Sequence, residues 1–87
     1  MPTVFIPPLL KDLTGGQTTV SVPGDSVREV IAGLESRFPG IAERLCEDGR
    51  IRPGMAVAVD SAVSTVGMRH HLSETSEVHF LPALNGG

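Results

Sequence analysis

Apolar positions recur along this chain with two different periods, and the switch between them outlines a fold. Residues 3–6 (Thr3, Val4, Phe5, Ile6) are β-prone, and Pro7-Pro8 ends that run by removing the donors a sheet ladder needs. Residues 18–22 alternate, with Val20 and Val22 on one side. Between the two lies Thr14-Gly15-Gly16-Gln17, whose glycines allow the positive φ of a tight connection, so a β-hairpin is predicted. The period then lengthens. Val27, Val30, Ile31, Leu34 and Phe38 fall on one helical stripe, while Arg28, Glu29, Glu35 and Arg37 fall away from it. Ser26-Val27-Arg28-Glu29 fits a capping box, with Asp25 as the other candidate cap, and Pro39-Gly40 stops the helix. Ile41, Leu45 and Cys46 suggest one more helical turn before Asp48-Gly49.

Strands return in the second half. Residues 55–59 form one, residues 63–66 a weaker one after the turn-prone Asp60-Ser61, and residues 77–81 the last. Residues 67–76 are polar and irregular, with Leu72 as the core anchor. In the last strand Val78 and Phe80 face one way and His79 and Leu81 the other. Strands gathered around one amphipathic helix predict an α+β domain, with the helix across one face of a mixed sheet of four to five strands.

Composition then narrows the function. At 87 residues the chain has room for one core, so residues 1–81 are read as the domain and residues 82–87 as a flexible tail. With 40% hydrophobic and 20% charged residues, disorder is excluded. A single cysteine excludes an internal disulfide and a cysteine-rich zinc site. Seven Lys and Arg against ten Asp and Glu give a net charge of −3, and Trp and Tyr are absent. Nucleic-acid binding, which needs a basic stripe or stacking platforms, is therefore not expected. No apolar run approaches the ~18–20 residues of a membrane span, and the start lacks a signal peptide's pattern, so a cytoplasmic location is expected.

Candidate chemistry is sparse within the domain. His70 and His71 are adjacent and so point to opposite faces, His79 sits on the outer face of the last strand, and no spacing completes a metal site. Cys46 has no histidine near it in sequence and reads as a packing residue. Thr14-Gly15-Gly16 lacks the lysine of a phosphate loop. No catalytic residue is assigned.

The end of the chain, Pro82-Ala83-Leu84-Asn85-Gly86-Gly87, carries more. A carboxylate is a poor electrophile, but adenylation with ATP makes it a mixed anhydride open to a sulfur or amine nucleophile. Gly86-Gly87 form the narrowest possible peptide, able to thread a partner's channel and leave the reacting carbonyl unhindered. The catalytic groups would belong to that partner. Leu81 is the preferred docking residue, grouped with Met55 or its neighbours in an apolar outer patch, and Pro82 and His79 join it as partner-binding candidates.

Order and tail together resemble the ubiquitin-like, β-grasp sulfur carriers related to MoaD, ThiS and CysO. The resemblance spans nearly the whole chain. Its specific pieces are Ile6-Pro7-Pro8-Leu9-Leu10, Leu13-Thr14-Gly15-Gly16-Gln17, Pro39-Gly40-Ile41-Ala42-Glu43-Arg44-Leu45 and Leu81-Pro82-Ala83-Leu84-Asn85-Gly86-Gly87. The Thr14-Gly15-Gly16 hairpin with the Pro39-Gly40-Ile41 and Arg44-Leu45 segment looks more like the CysO branch than like ThiS, while the ending also resembles MoaD. Departures lie at Gly54-Met55-Ala56, where many relatives carry an aromatic and an Asn, and at Glu74-Thr75-Ser76-Glu77, where an Asp-Gly-Asp-Glu turn is usual. The resemblance implies adenylation of Gly87 by a ThiF- or MoeB-like adenylyltransferase using MgATP, then conversion to a thiocarboxylate by a sulfur donor. Gly86, Asn85 and Leu84 would form the inserted tail. The acceptor would be a PLP-dependent cysteine synthase in the CysO branch or a molybdopterin pathway with a MoaE-like subunit in the MoaD branch. No bound cofactor or metal is implied. A ubiquitin-like modifier, joined through Gly87 to a lysine amine, uses the same activation and stands as the alternative.

Overall fold

The computed structural model describes residues 1–82. Two strands open it, β1 (Thr3–Phe5) and β2 (Thr19–Ser21), paired antiparallel with Val4 opposite Val20. The long connection between them holds a 3-10 turn at Pro8–Leu10 and turns back at Gly15 and Gly16, whose φ values of 67° and 89° need glycine. Thr14 fastens this loop from inside, its buried hydroxyl donating to the carbonyl of Gln17 at 2.9 Å.

Helix α1 (Val27–Arg37) follows, and Ser26 is its cap: its Oγ accepts from the Glu29 amide at 3.2 Å. Glu29 reaches one residue past the usual capping-box partner, its carboxylate accepting from the Asp25 amide at 2.7 Å. Val27, Val30, Ile31 and Leu34 are the buried stripe. The short α2 (Ile41–Leu45) is fixed by Glu35, whose carboxylate accepts from the amides of Gly40 at 3.0 Å and Ala42 at 2.9 Å. Those two amides, Ala42 foremost, hold the Glu35 carboxyl below its ordinary value.

A small hairpin, β3 (Cys46–Glu47) and β4 (Arg50–Ile51), comes next and is not anticipated above. Its turn is Asp48-Gly49, both at positive φ, and that dipeptide is the hairpin signal the sequence offered. Then come β5 (Met55–Val59), β6 (Ala62–Val63) and β7 (Glu77–Pro82). Strand β6 starts earlier than residues 63–66 because Asp60 and Ser61, at φ 52° and 74°, make a two-residue turn that returns the chain at once. The main sheet runs β2-β1-β7-β5-β6, with β7 in the middle, parallel to β1 and antiparallel to β5. This is the mixed sheet expected, at the upper strand number. Strand alternation sends Val4, Val20, Val57, Val59, Val78 and Phe80 toward α1, where they form one core with its stripe. Among the described residues no helix is long and apolar enough to cross a membrane.

Candidate functional site

Strand β7 delivers the chain to its tail, so the site begins with how its last residues are held. Leu81 lies opposite Ala56 and Pro82 opposite Met55, so β5 guides this stretch along one edge. On the other edge β1 stops at Phe5, opposite His79, and Pro7 and Pro8 lead the chain away into the 3-10 turn. Pro82 itself brings no donor to the sheet. The tail root is thus gripped from one side only.

Alternation separates the candidate residues. His79 and Leu81 share the outer face, together with Ala56 and Ala58, while Pro82 follows the parity of Val78 and Phe80. Within the outer patch expected from Leu81 with Met55 or its neighbours, register puts Ala56 beside Leu81, while Met55 sits opposite Pro82 on the other parity. Leu81 is 38% exposed. The His79 imidazole stacks on the Phe5 ring, with centroids 4.1 Å apart and planes 6° from parallel. That stack makes His79 part of the wall of the outer face. The expected tail residues Leu84, Asn85, Gly86 and Gly87 lie outside the described residues.

Where the sheet ends, the strand edges and the first loop enclose a groove of about 400 Å³. Leu9, Met55, Phe80, Leu81 and Pro82 give it apolar walls, and Arg44 on α2 is its cation. Leu9 is 77% exposed. The Arg44 guanidinium donates to the Leu9 carbonyl at 3.5 Å, tying α2 to the loop. Sequence reasoning did not assign Pro7, Leu9 or Arg44 to the site. The available signal was Leu9-Leu10, two adjacent leucines on a turn of which Leu10 is buried and Leu9 is not.

The remaining candidates are engaged elsewhere. Cys46 is half-buried with its Sγ 3.9 Å from the Met68 sulfur, and burial pushes its thiol up, against a smaller opposing pull from Arg28. A thiol so placed is a poor nucleophile. His70 Nδ1 lies 2.7 Å from the Ser64 hydroxyl, and His71 forms a bridge with Ser26. Among the described residues no three His, Cys, Asp or Glu side chains come together as metal ligands would.

The sequence model of the ThiS family matches residues 4–87, which takes in the sheet, the groove and the terminal glycines. The chain belongs to the ThiS family. Over 90 aligned residues it is 34% identical to the sulfur carrier protein CysO of Mycobacterium tuberculosis, covering 98% of this chain and 97% of that protein. The crystal structure of that CysO superposes with a TM-score of 0.90 at 32% identity, covering 97% of this chain and 100% of the other. A chain of the Amycolatopsis orientalis BexX/CysO complex gives 0.91 at 31% identity, with 100% of both chains covered. The solution structure of small archaeal modifier protein 1 from Methanosarcina acetivorans gives 0.80 at 18% identity, with 99% of this ThiS-family chain and 95% of that one covered, a likeness of fold alone. The fold is the ubiquitin-like β-grasp.

Proposed function

We propose that this ThiS-family protein is a sulfur carrier of the CysO kind, serving cysteine biosynthesis, with Gly87 as its reacting terminus. The observation that carries this reading is the near full-length identity to CysO within a family match that extends through Gly86 and Gly87. The chemistry runs in two steps. A Gly87 carboxylate oxygen attacks the α-phosphorus of MgATP held by a ThiF- or MoeB-like enzyme, and pyrophosphate leaves. Hydrosulfide sulfur then attacks the acyl-adenylate carbon, AMP departs with the bonding electrons, and a thiocarboxylate remains. That sulfur passes to a PLP-dependent synthase acting on an activated serine. The carrier contributes no acid or base. It contributes a narrow terminus that fits a partner's channel, and a groove and outer face at its root on which the activating enzyme docks.

The test is the intact mass after incubation with an adenylating enzyme of the same genome, MgATP and sulfide. Exchange of oxygen for sulfur adds nearly the same mass as oxidation of Met1, Met55, Met68 or Cys46, so the gain is localised by fragmentation. An ATP-dependent gain at Gly87 is expected, and deletion of Gly87 abolishes it. No gain with any related activating enzyme overturns the reading, and an adduct on another protein's lysine instead assigns the modifier chemistry.

A further inference from the structure

Away from the tail root, a cleft of about 330 Å³ opens between the start of α1, the β3–β4 hairpin and the turn at residues 66–69. Three of the chain's six arginines line it: Arg28, Arg50 and Arg69. Among the described residues no carboxylate lines it with them. Asp25 and Glu29 flank Arg28 in sequence, and Glu29 is committed to the Asp25 amide. Glu47 and Asp48 border the adjoining depression beside Arg50, and Glu47 pairs with Arg52 at 3.4 Å, the one ion pair among the described residues. In a chain of net charge −3, three exposed guanidiniums gather on one cleft with no ion-pair partner among the described residues.

The position of Arg28 adds a second, independent observation. It is the second residue of α1, at the positive end of the helix, where a cation is unfavourable and an acidic residue is preferred. An anion in the cleft would reverse that penalty. The walls are also built rather than loose. The Val27 amide donates to the His70 carbonyl at 3.0 Å and the Leu72 amide to the Asp25 carbonyl at 2.8 Å, fastening the turn to the helix start.

The lining discriminates among anions. Guanidiniums take phosphate as well as carboxylate, but the Val66 and Gly67 amides that would add to a compact phosphate site are both taken by the Ser64 hydroxyl, at 3.2 and 3.0 Å. The remaining wall is apolar, from Ile51, Val66 and Met68, and Val66 is 46% exposed. Guanidiniums around an apolar floor suit carboxylates spaced by an apolar side chain.

We propose that this cleft docks an acidic segment of a partner protein, in which carboxylates engage Arg28, Arg50 and Arg69 and an apolar residue between them rests on Ile51 and Met68. Among the described residues it shares no lining residue with the tail-root groove, so that groove stays open when it is filled. The proposal does not depend on the chemistry of Gly87.

The test titrates isotope-labelled protein with a short peptide alternating glutamate and leucine, with a lysine–leucine counterpart and inorganic phosphate as the other arms, following amide shifts by NMR. Saturating shifts are expected at Gly49, Arg50, Ile51, Gly67 and Met68, with Leu81 unmoved. Affinity falls at least about tenfold in the Arg50→Glu, Arg69→Glu chain, and falls again as salt rises from about 50 to about 300 mM. Arg28→Glu weakens binding while raising the Tm of the free protein by about 2–5 °C, so the loss of binding is not a loss of folding. Deleting Gly87 leaves binding unchanged. The paired Arg→Gln changes replace the reversals if those unfold the chain. Equal binding of the lysine peptide, undiminished binding by the arginine variants, no saturating shift, or saturation by phosphate without the acidic peptide would each overturn the proposal.

Discussion

The two faces of the central sheet are made by the same strands and behave as different materials. Toward α1, Val4, Val78 and Leu34 are wholly buried, and each contact there is apolar and shape-dependent. On the outer face the same strands present the Phe5–His79 stack, Leu81 and Val63, the last 64% exposed. A single residue step along β7 crosses from one regime to the other. Stability is therefore concentrated on one side and recognition is free to reside on the other.

Changes on the covered side break that contrast most strongly. Leu34→Ala leaves a cavity under the sheet and is expected to cost about 2–5 kcal/mol, read from the midpoint of urea unfolding. Gly33→Ala comes next. A Cβ there would lie 2.5 Å from the buried Val22 methyl, so the overpacking cost of about 1–3 kcal/mol exceeds the helix-propensity gain of about 1 kcal/mol. An unchanged midpoint would show that the helix slides away from β2 without penalty.

Glu35→Gln sharpens the comparison at the junction of α1 and α2. The folded-state pKa of Glu35 is lowered, so its contribution is complete above the unfolded value and is lost as pH falls through the folded one. The variant should be less stable at pH 7 and show a shallower acid limb, as measured by denaturation across the range from about pH 6 to about pH 2. An acid limb parallel to that of the parent would remove Glu35 as the anchor of α2. The smallest stability effect belongs to the outer face: Leu81→Asp should shift unfolding by no more than about 0.5 kcal/mol while reducing thiocarboxylate formation severalfold. Loss of the folded state in that variant would assign Leu81 to the core instead.

Much of the covered side was legible because periodicity reports burial. The stripe from Val27 to Leu34 and the alternation of Val78 and Phe80 needed only counting, and of the two cap candidates, Ser26 and Asp25, the structure selects Ser26. Two-residue strands such as β3 and β4 are too short to have a period, so only Asp48-Gly49 marked them. The need for Gly33, the close approach of Val22, is a tertiary fact that the helical stripe does not report. The tail root was visible in Leu81 and Pro82, but its groove was not. Leu9, Arg44 and Met55 come from separated segments that only the sheet order brings together. Which neighbour of Met55 stands beside Leu81 was left open for a related reason, since adjacency across strands depends on register; it is Ala56.

The middle place of β7 has a consequence for biosynthesis. The strand that completes the sheet is the last described element to leave the ribosome, and it must slot between β1, the first, and β5. Such long-range closure is slow and cannot begin early. A chain terminated before residue 77 would carry the unpaired edges of β1 and β5 and a core missing Val78 and Phe80, a species prone to aggregation and degradation. Only molecules translated through the central strand fold and persist, so the folding reaction itself proofreads against early-truncated carriers.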